Sequence, residues 1–169
     1  LAPYRALIKA GLPAILTSHA LYPPLDRFRP ATLSAQIMTG LLRRTMGFAG
    51  IALSDDLEMA AIERRYGFER SVGLAMRAGV DLVMVCHTHG KMQRAIRHLH
   101  NLAAGDSVIA RRVAESTARQ TRVRRRLAAT GRPAHTSVLR RPAHRALALR
   151  LARRGVLIVR AVPGRLPRR

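Results

Sequence analysis

Large anchors are scarce in this chain, and so are acids. Of its 169 residues one is cysteine, none is tryptophan, and aromatics make up 4%. Cys86 has no partner within the chain, so no intrachain disulfide can form and the redox compartment is left open. No run approaches the ~18 apolar residues needed to span a bilayer. The first residue is Leu, and no charged segment precedes an apolar one as in a leader. The chain is therefore expected to be a mature product, a fragment or a trimmed piece. Acidic residues number nine against 31 basic ones, and all nine lie between Asp26 and Glu115. Residues 116–169 hold sixteen arginines and no acid. A polyanion-binding tail is one reading of that charge, and it predicts affinity that falls steeply with salt. The other is an arginine-rich codon usage, since 29 of the 31 basic residues are Arg. No aromatic follows Phe68, so platforms for stacking bases are missing and nucleic acid is disfavoured as a partner.

What is present is enough apolar sequence, 48%, for one domain with a real core. Its spacing predicts a helix ending at Gly11, a strand over Leu12–Ser18 and a proline-rich loop over Ala20–Pro30. A helix over Ser34–Met46 follows, with Ile37, Met38, Leu41, Leu42 and Met46 largely on one face. Gly50–Ser54 reads as a second strand, Leu57–Arg65 and Phe68–Ala78 as helices, and Val80–Cys86 as a third strand. Lys91–Ala103 and Ser107–Ala129 read as further helices. Strands separated by crossover helices are the pattern of a parallel sheet, either a barrel or doubly wound. Three strands cannot close a barrel, which takes eight. Residues 130–142 read as a linker. A helix over Ala143–Arg154 and a strand over Gly155–Arg160 read as the start of a truncated second domain, 143–169.

The candidate chemistry stands at the end of the second strand, where Ser54-Asp55-Asp56 closes an apolar run. Adjacent side chains on an extended backbone point opposite ways, so one carboxylate can face a pocket while the other turns to the scaffold. A nucleophile, a general base or a Mg²⁺ ligand for phosphoryl transfer would each use such a group. One aspartate could instead cap the helix expected from Leu57, and both roles can hold at once, one residue in each. His19 ends the first strand and belongs on the same rim, either in the pocket or bonded to backbone. Cys86, His87, His89, His98 and His100 suggest zinc by composition. Strand alternation separates the first two, and the last two face different ways on a helix. No metal and no cofactor are expected.

The segments Ala14-Ile-Leu-Thr-Ser-His-Ala-Leu-Tyr-Pro23, Asp26, Pro30-Ala-Thr-Leu-Ser34, Leu41–Met59 with its Ser-Asp-Asp-Leu-Glu-Met block, and Ala75–Cys86 stand in order. Together they resemble glycoside hydrolase family 3, and within it the β-N-acetylhexosaminidase branch. The resemblance covers about residues 4–128. It implies an α/β fold, a partial TIM-type (β/α)8 barrel whose last three βα units are residues 1–129. It implies a retaining exo-β-N-acetylglucosaminidase acting on a carbohydrate, terminal N-acetylhexosamine of peptidoglycan or chitin-type fragments. Asp55 would be the nucleophile that forms the glycosyl-enzyme, and Asp56, Ser54 and His19 would support the site or line the sugar. A family 3 β-glucosidase is the alternative, which the second aspartate disfavours. The branch's Lys-His-Phe-Pro-Gly-His-Gly and Asp-Ser-His blocks, which supply sugar contacts and the acid/base pair, do not occur in these 169 residues. The chain alone is accordingly expected to be poorly stable and inactive, a missing general acid costing ~10²–10⁴-fold. His87 stands where the branch commonly has Asn.

Overall fold

Three short parallel strands organise the computed structural model, which describes residues 1–129 and 141–155. They are β1 (Ala14–Leu16), β2 (Ile51–Asp56) and β3 (Leu82–Met84), in the order β1-β2-β3, with β2 central. Helix α1 (Ala2–Lys9) leads into β1. A 3-10 turn (Ala31–Leu33) and a π-helix (Gln36–Thr45) cross from β1 to β2. Helices α2 (Ala60–Tyr66) and α3 (Phe68–Ala78) cross from β2 to β3, and α4 (His89–Gly105) and α5 (Ser107–Ala128) follow. The chain divides into two units, Leu1–Thr130 and Gly131–Arg169. In the second, α6 (Pro142–Gly155) is exposed along its length. The strand expected over Gly155–Arg160 and most of the expected linker lie outside the described residues.

Register explains which face of the sheet is covered. Ile15 is paired with Ala52, and both are buried in one core with Val72, Ala75 and Ala78 of α3. Leu16, Leu53 and Leu82 share the other face through the pairs Leu16–Leu53 and Leu53–Leu82. There Leu16 is 57% exposed and Leu82 36%. Among the described residues the sheet thus has one helix-covered face and one open apolar face. This is a parallel α/β fold of the barrel type, mostly helical around a small sheet.

Several boundaries differ from the sequence reading. β1 and β3 are shorter than expected, although bonds from the Thr17 N–H to the Leu53 carbonyl (2.9 Å) and from the Asp81 N–H to the Ala52 carbonyl (2.8 Å) continue just past their ends. β2 is longer: it runs through both aspartates instead of stopping at Ser54. The helix expected from Leu57 begins only at Ala60, with Met59 as its N-cap, so neither aspartate caps it. The helix expected over Ser34–Met46 is a π-helix over Gln36–Thr45, closed by Met46 N–H on the Leu41 carbonyl five residues back (2.9 Å). An α-helix and a π-helix both bring residues four apart roughly onto one side, so Met38 and Leu42 are buried in either, and the apolar pattern does not separate them.

Close contacts lock the π-helix against the C-terminal end of α3. The Thr39 hydroxyl donates to the Ala78 carbonyl at 2.7 Å. Gly79 turns the chain there with φ +115, and a β-carbon on it would stand 2.8 Å from the Thr39 hydroxyl, so a side chain is excluded on both counts. At the N-terminal ends of the strands lies a buried ionic cluster. Asp81, 3% exposed, accepts from Arg43, from Arg119 (2.9 Å), from the Ser116 hydroxyl (2.9 Å) and from the Ala52 N–H (2.9 Å). Arg43 also donates to the carbonyls of Phe48 (2.9 Å) and Gly50 (2.6 Å). Burial pulls the Arg43 guanidinium below its ordinary pKa, against the opposing pull of Asp81. The cluster ties the π-helix, β2, the entry to β3 and α5 to a single carboxylate.

Candidate active site

Parallel strands deliver their C-terminal ends to one rim, and here the rim gathers His19, Ser54, Asp55, Asp56, Glu58, Cys86 and His87. The two aspartates are split as alternation requires. Asp56 is buried, and both its oxygens are engaged by the scaffold. Its Oδ1 accepts the N–H groups of Glu58 (3.1 Å) and Cys86 (3.3 Å), and its Oδ2 lies 3.1 Å from His87 Nε2. Asp55 stands half-buried, its Oδ1 accepting the N–H of Asp56 at 2.8 Å. It shares the open face with Leu53, two residues earlier. The Cys86 thiol is pushed up, first by desolvation and then by the charges of Asp56, Glu58 and Asp55.

His19 joins β1 to this rim. Its Nε2 donates to the Asp56 carbonyl at 2.9 Å, and its Nδ1 lies 3.1 Å from the Thr32 hydroxyl. The Thr17 and Thr32 hydroxyls are 2.8 Å apart, so the ring is held from both sides. Ser54 is fully buried on the covered face, and its hydroxyl accepts the Met84 N–H at 2.8 Å. At that point the β2–β3 ladder changes register: Leu53 pairs with Leu82, but Asp56 pairs with Met84, so β2 carries one extra residue. Structure thus bonds His19 directly to Asp56, ties Ser54 to Met84 of β3, and leaves Asp55 half-buried on the open face. His87, whose side chain is 76% exposed, has a definite contact in Asp56.

Glu58 was not singled out by the sequence reading, yet it anchors the β3–α4 loop. Its Oε2 accepts the N–H groups of His87 (2.6 Å) and Thr88 (3.1 Å), and Lys91 lies 3.7 Å from its Oε1. Its carboxyl is lowered to about 2 from 4.5. The Thr88 hydroxyl is the main cause, followed by the two backbone N–H groups and Lys91, against a desolvation that works the other way. The one available signal was position: an acid two residues beyond a strand end is placed to take N–H groups from the next loop. A carboxyl depressed in the folded state stabilises it fully above its unfolded pKa and stops doing so as pH falls through the folded one. Between pH 4.5 and about 2 the His87 and Thr88 amides should therefore lose protection from hydrogen exchange. Glu58→Gln should flatten that dependence, and an unchanged profile in the variant would assign it to another group.

A parallel α/β sheet with carboxylates on its C-terminal rim defines a barrel-type domain with a βα-loop site. The family model for the glycosyl hydrolase family 3 N terminal domain matches residues 1–123. The chain belongs to glycosyl hydrolase family 3. It is 36% identical over 99 residues to a beta-hexosaminidase of Alkalilimnicola ehrlichii, covering 59% of this chain and 28% of that protein. It is 38% identical over 87 residues to a beta-hexosaminidase of Thiobacillus denitrificans, covering 52% and 24%. Among solved structures, a family 3 beta-N-acetylglucosaminidase from Paenibacillus sp. str. FPU-7 superposes with a TM-score of 0.74 at 34% identity. That match covers 80% of this chain and 26% of the other. The beta-N-acetylhexosaminidase from Beutenbergia cavernae gives a TM-score of 0.65 at 30% identity, covering 76% and 36%. The chain thus spans about a quarter of the length of the curated relatives it matches.

Proposed function

We propose that this chain is the nucleophile-bearing part of a retaining exo-β-N-acetylglucosaminidase. The observation that carries the reading is the division of labour between the two aspartates. Asp56 has both oxygens committed to N–H groups and to His87, while Asp55 is half-exposed on the open face of β2. A half-exposed carboxylate held on a strand end by one N–H bond to its Oδ1 is suited to attack an anomeric carbon; one with both oxygens committed is suited to hold the loop. Asp55 would displace the leaving group to form a glycosyl ester, and water would then cleave that ester, giving retention by double inversion. His19, Ser54 and Asp56 support the rim, and the open face beside Asp55 is where the sugar would sit. The relatives' names favour terminal β-linked N-acetylhexosamine, with peptidoglycan or chitin-type fragments as the natural source. Residues 143–169 are proposed to begin a second α/β domain, after a linker over 130–142.

The test compares aryl β-N-acetylglucosaminide with aryl β-glucoside as substrates of the protein expressed from its complete reading frame. Preference for the N-acetyl sugar by about 100-fold or more is expected, the least that a pocket shaped for one additional substituent gives. Preference for glucose would move the protein to the β-glucosidase branch, and turnover of neither would overturn the glycosidase reading.

A further inference from the structure

The register shift in the β2–β3 ladder falls on the two residues that matter to the proposed chemistry. From the pair Leu53–Leu82 a regular ladder would set Asp55 opposite Met84; instead Asp56 pairs with Met84. One extra residue is therefore accommodated on β2 between Leu53 and Asp56. Bulges are uncommon in parallel pairs, and they re-aim side chains where they occur. At this one the Ser54 hydroxyl accepts the Met84 N–H at 2.8 Å, from a side chain with no solvent exposure. Immediately beyond it, Leu57 N–H donates to the Met84 carbonyl at 3.0 Å, so Met84 is gripped at its N–H by β2 and at its carbonyl by the residue that follows β2. We propose that Ser54 is a positioning residue: its hydroxyl pins the register shift, and the shift sets the direction in which Asp55 leaves the sheet. The directing role rests on the reading of Asp55 as nucleophile; the pinning role does not.

Nothing else in the rim duplicates this function. Asp56 holds the Cys86 and His87 loop, His19 holds the Asp56 carbonyl, and Glu58 holds the next two amides. Ser54 alone among these side chains bonds to Met84, the last residue of β3, at the bulge. Alanine there keeps the fit but removes the acceptor, and threonine keeps the hydroxyl.

The experiment uses the protein expressed from its complete reading frame. Ser54→Ala should speed amide exchange at Met84 by about tenfold or more, the scale of one lost buried hydrogen bond, with the Val72 amide in α3 unaffected. It should lower kcat on aryl β-N-acetylglucosaminide by about 100-fold at nearly constant KM, as a misaimed nucleophile does. Ser54→Thr should restore both. Met84 exchange at the wild-type rate in Ser54→Ala overturns the pinning role. Faster exchange with kcat intact overturns the directing role. An inactive wild-type protein overturns the glycosidase reading instead, and the exchange data still decide on the pin. Should Ser54→Ala not fold, Ser54→Cys, near in size and a weak acceptor, is read by the same criteria.

Discussion

Asp55→Asn should abolish turnover of aryl β-N-acetylglucosaminide while leaving the fold intact. The expected loss in kcat is on the order of 10⁴-fold or more, the scale on which enzymes lose an essential nucleophile. An amide keeps the size of the side chain and can still accept the Asp56 N–H that Asp55 Oδ1 accepts now. Stability should therefore change by less than about 1 kcal/mol. Asp56→Asn is the informative contrast. Its carboxylate is buried, its Oδ1 holds two N–H groups and its Oδ2 faces the exposed ring of His87. An amide nitrogen in place of one oxygen would meet a donor, so the variant should lose about 1–3 kcal/mol of stability and fall less in kcat than Asp55→Asn. The two variants separate chemistry from support. If Asp55→Asn turns over at the wild-type rate, Asp55 is not the nucleophile.

The second large effect is expected at the opposite end of the strands. Asp81→Ala should destabilise the domain by about 3–5 kcal/mol, because Arg43 and Arg119 would lose the carboxylate that compensates them. Arg43 is the more exposed to this loss, since burial already disfavours its charge and its side chain is 11% exposed. The Ala52 N–H and the Ser116 hydroxyl would be left without their acceptor at the same time. Asp81→Asn, which keeps an oxygen for two of the four donors, should cost less. The thermal midpoint in low salt and in high salt is the measurement. A buried cluster is screened little, so the loss should persist at high salt. A change below about 1 kcal/mol would mean that the arginines are re-solvated by local opening.

Much of this architecture was legible before any coordinate. The order of strands and helices follows from apolar runs separated by amphipathic stretches, and the glycines at 11, 67 and 79 mark ends that the structure turns with positive φ. The rim position of His19 and the aspartates follows from the parallel arrangement. What was hidden depends on pairing between distant segments. The extension of β2 through Asp55 and Asp56 needs β3 beside it. The bulge is a relation between two strands, and no single run of residues carries it. Glu58 reads as an ordinary exposed acid until the His87–Thr88 loop is placed on it. Asp81 reads as a polar interruption before an apolar strand, and only the fold shows two arginines from 38 residues before and after it converging on its oxygens. The π-helix was read as an ordinary helix because both bury the same spacing.

The Asp81 cluster grips β2 at Ala52, and Asp55 lies three residues further along, about 10 Å away at the rise of a strand. Groups that far apart without shared partners act almost independently. One strand thus carries foundation and workshop at separate ends, so loops at the rim can be exchanged over evolutionary time while the footing stays untouched.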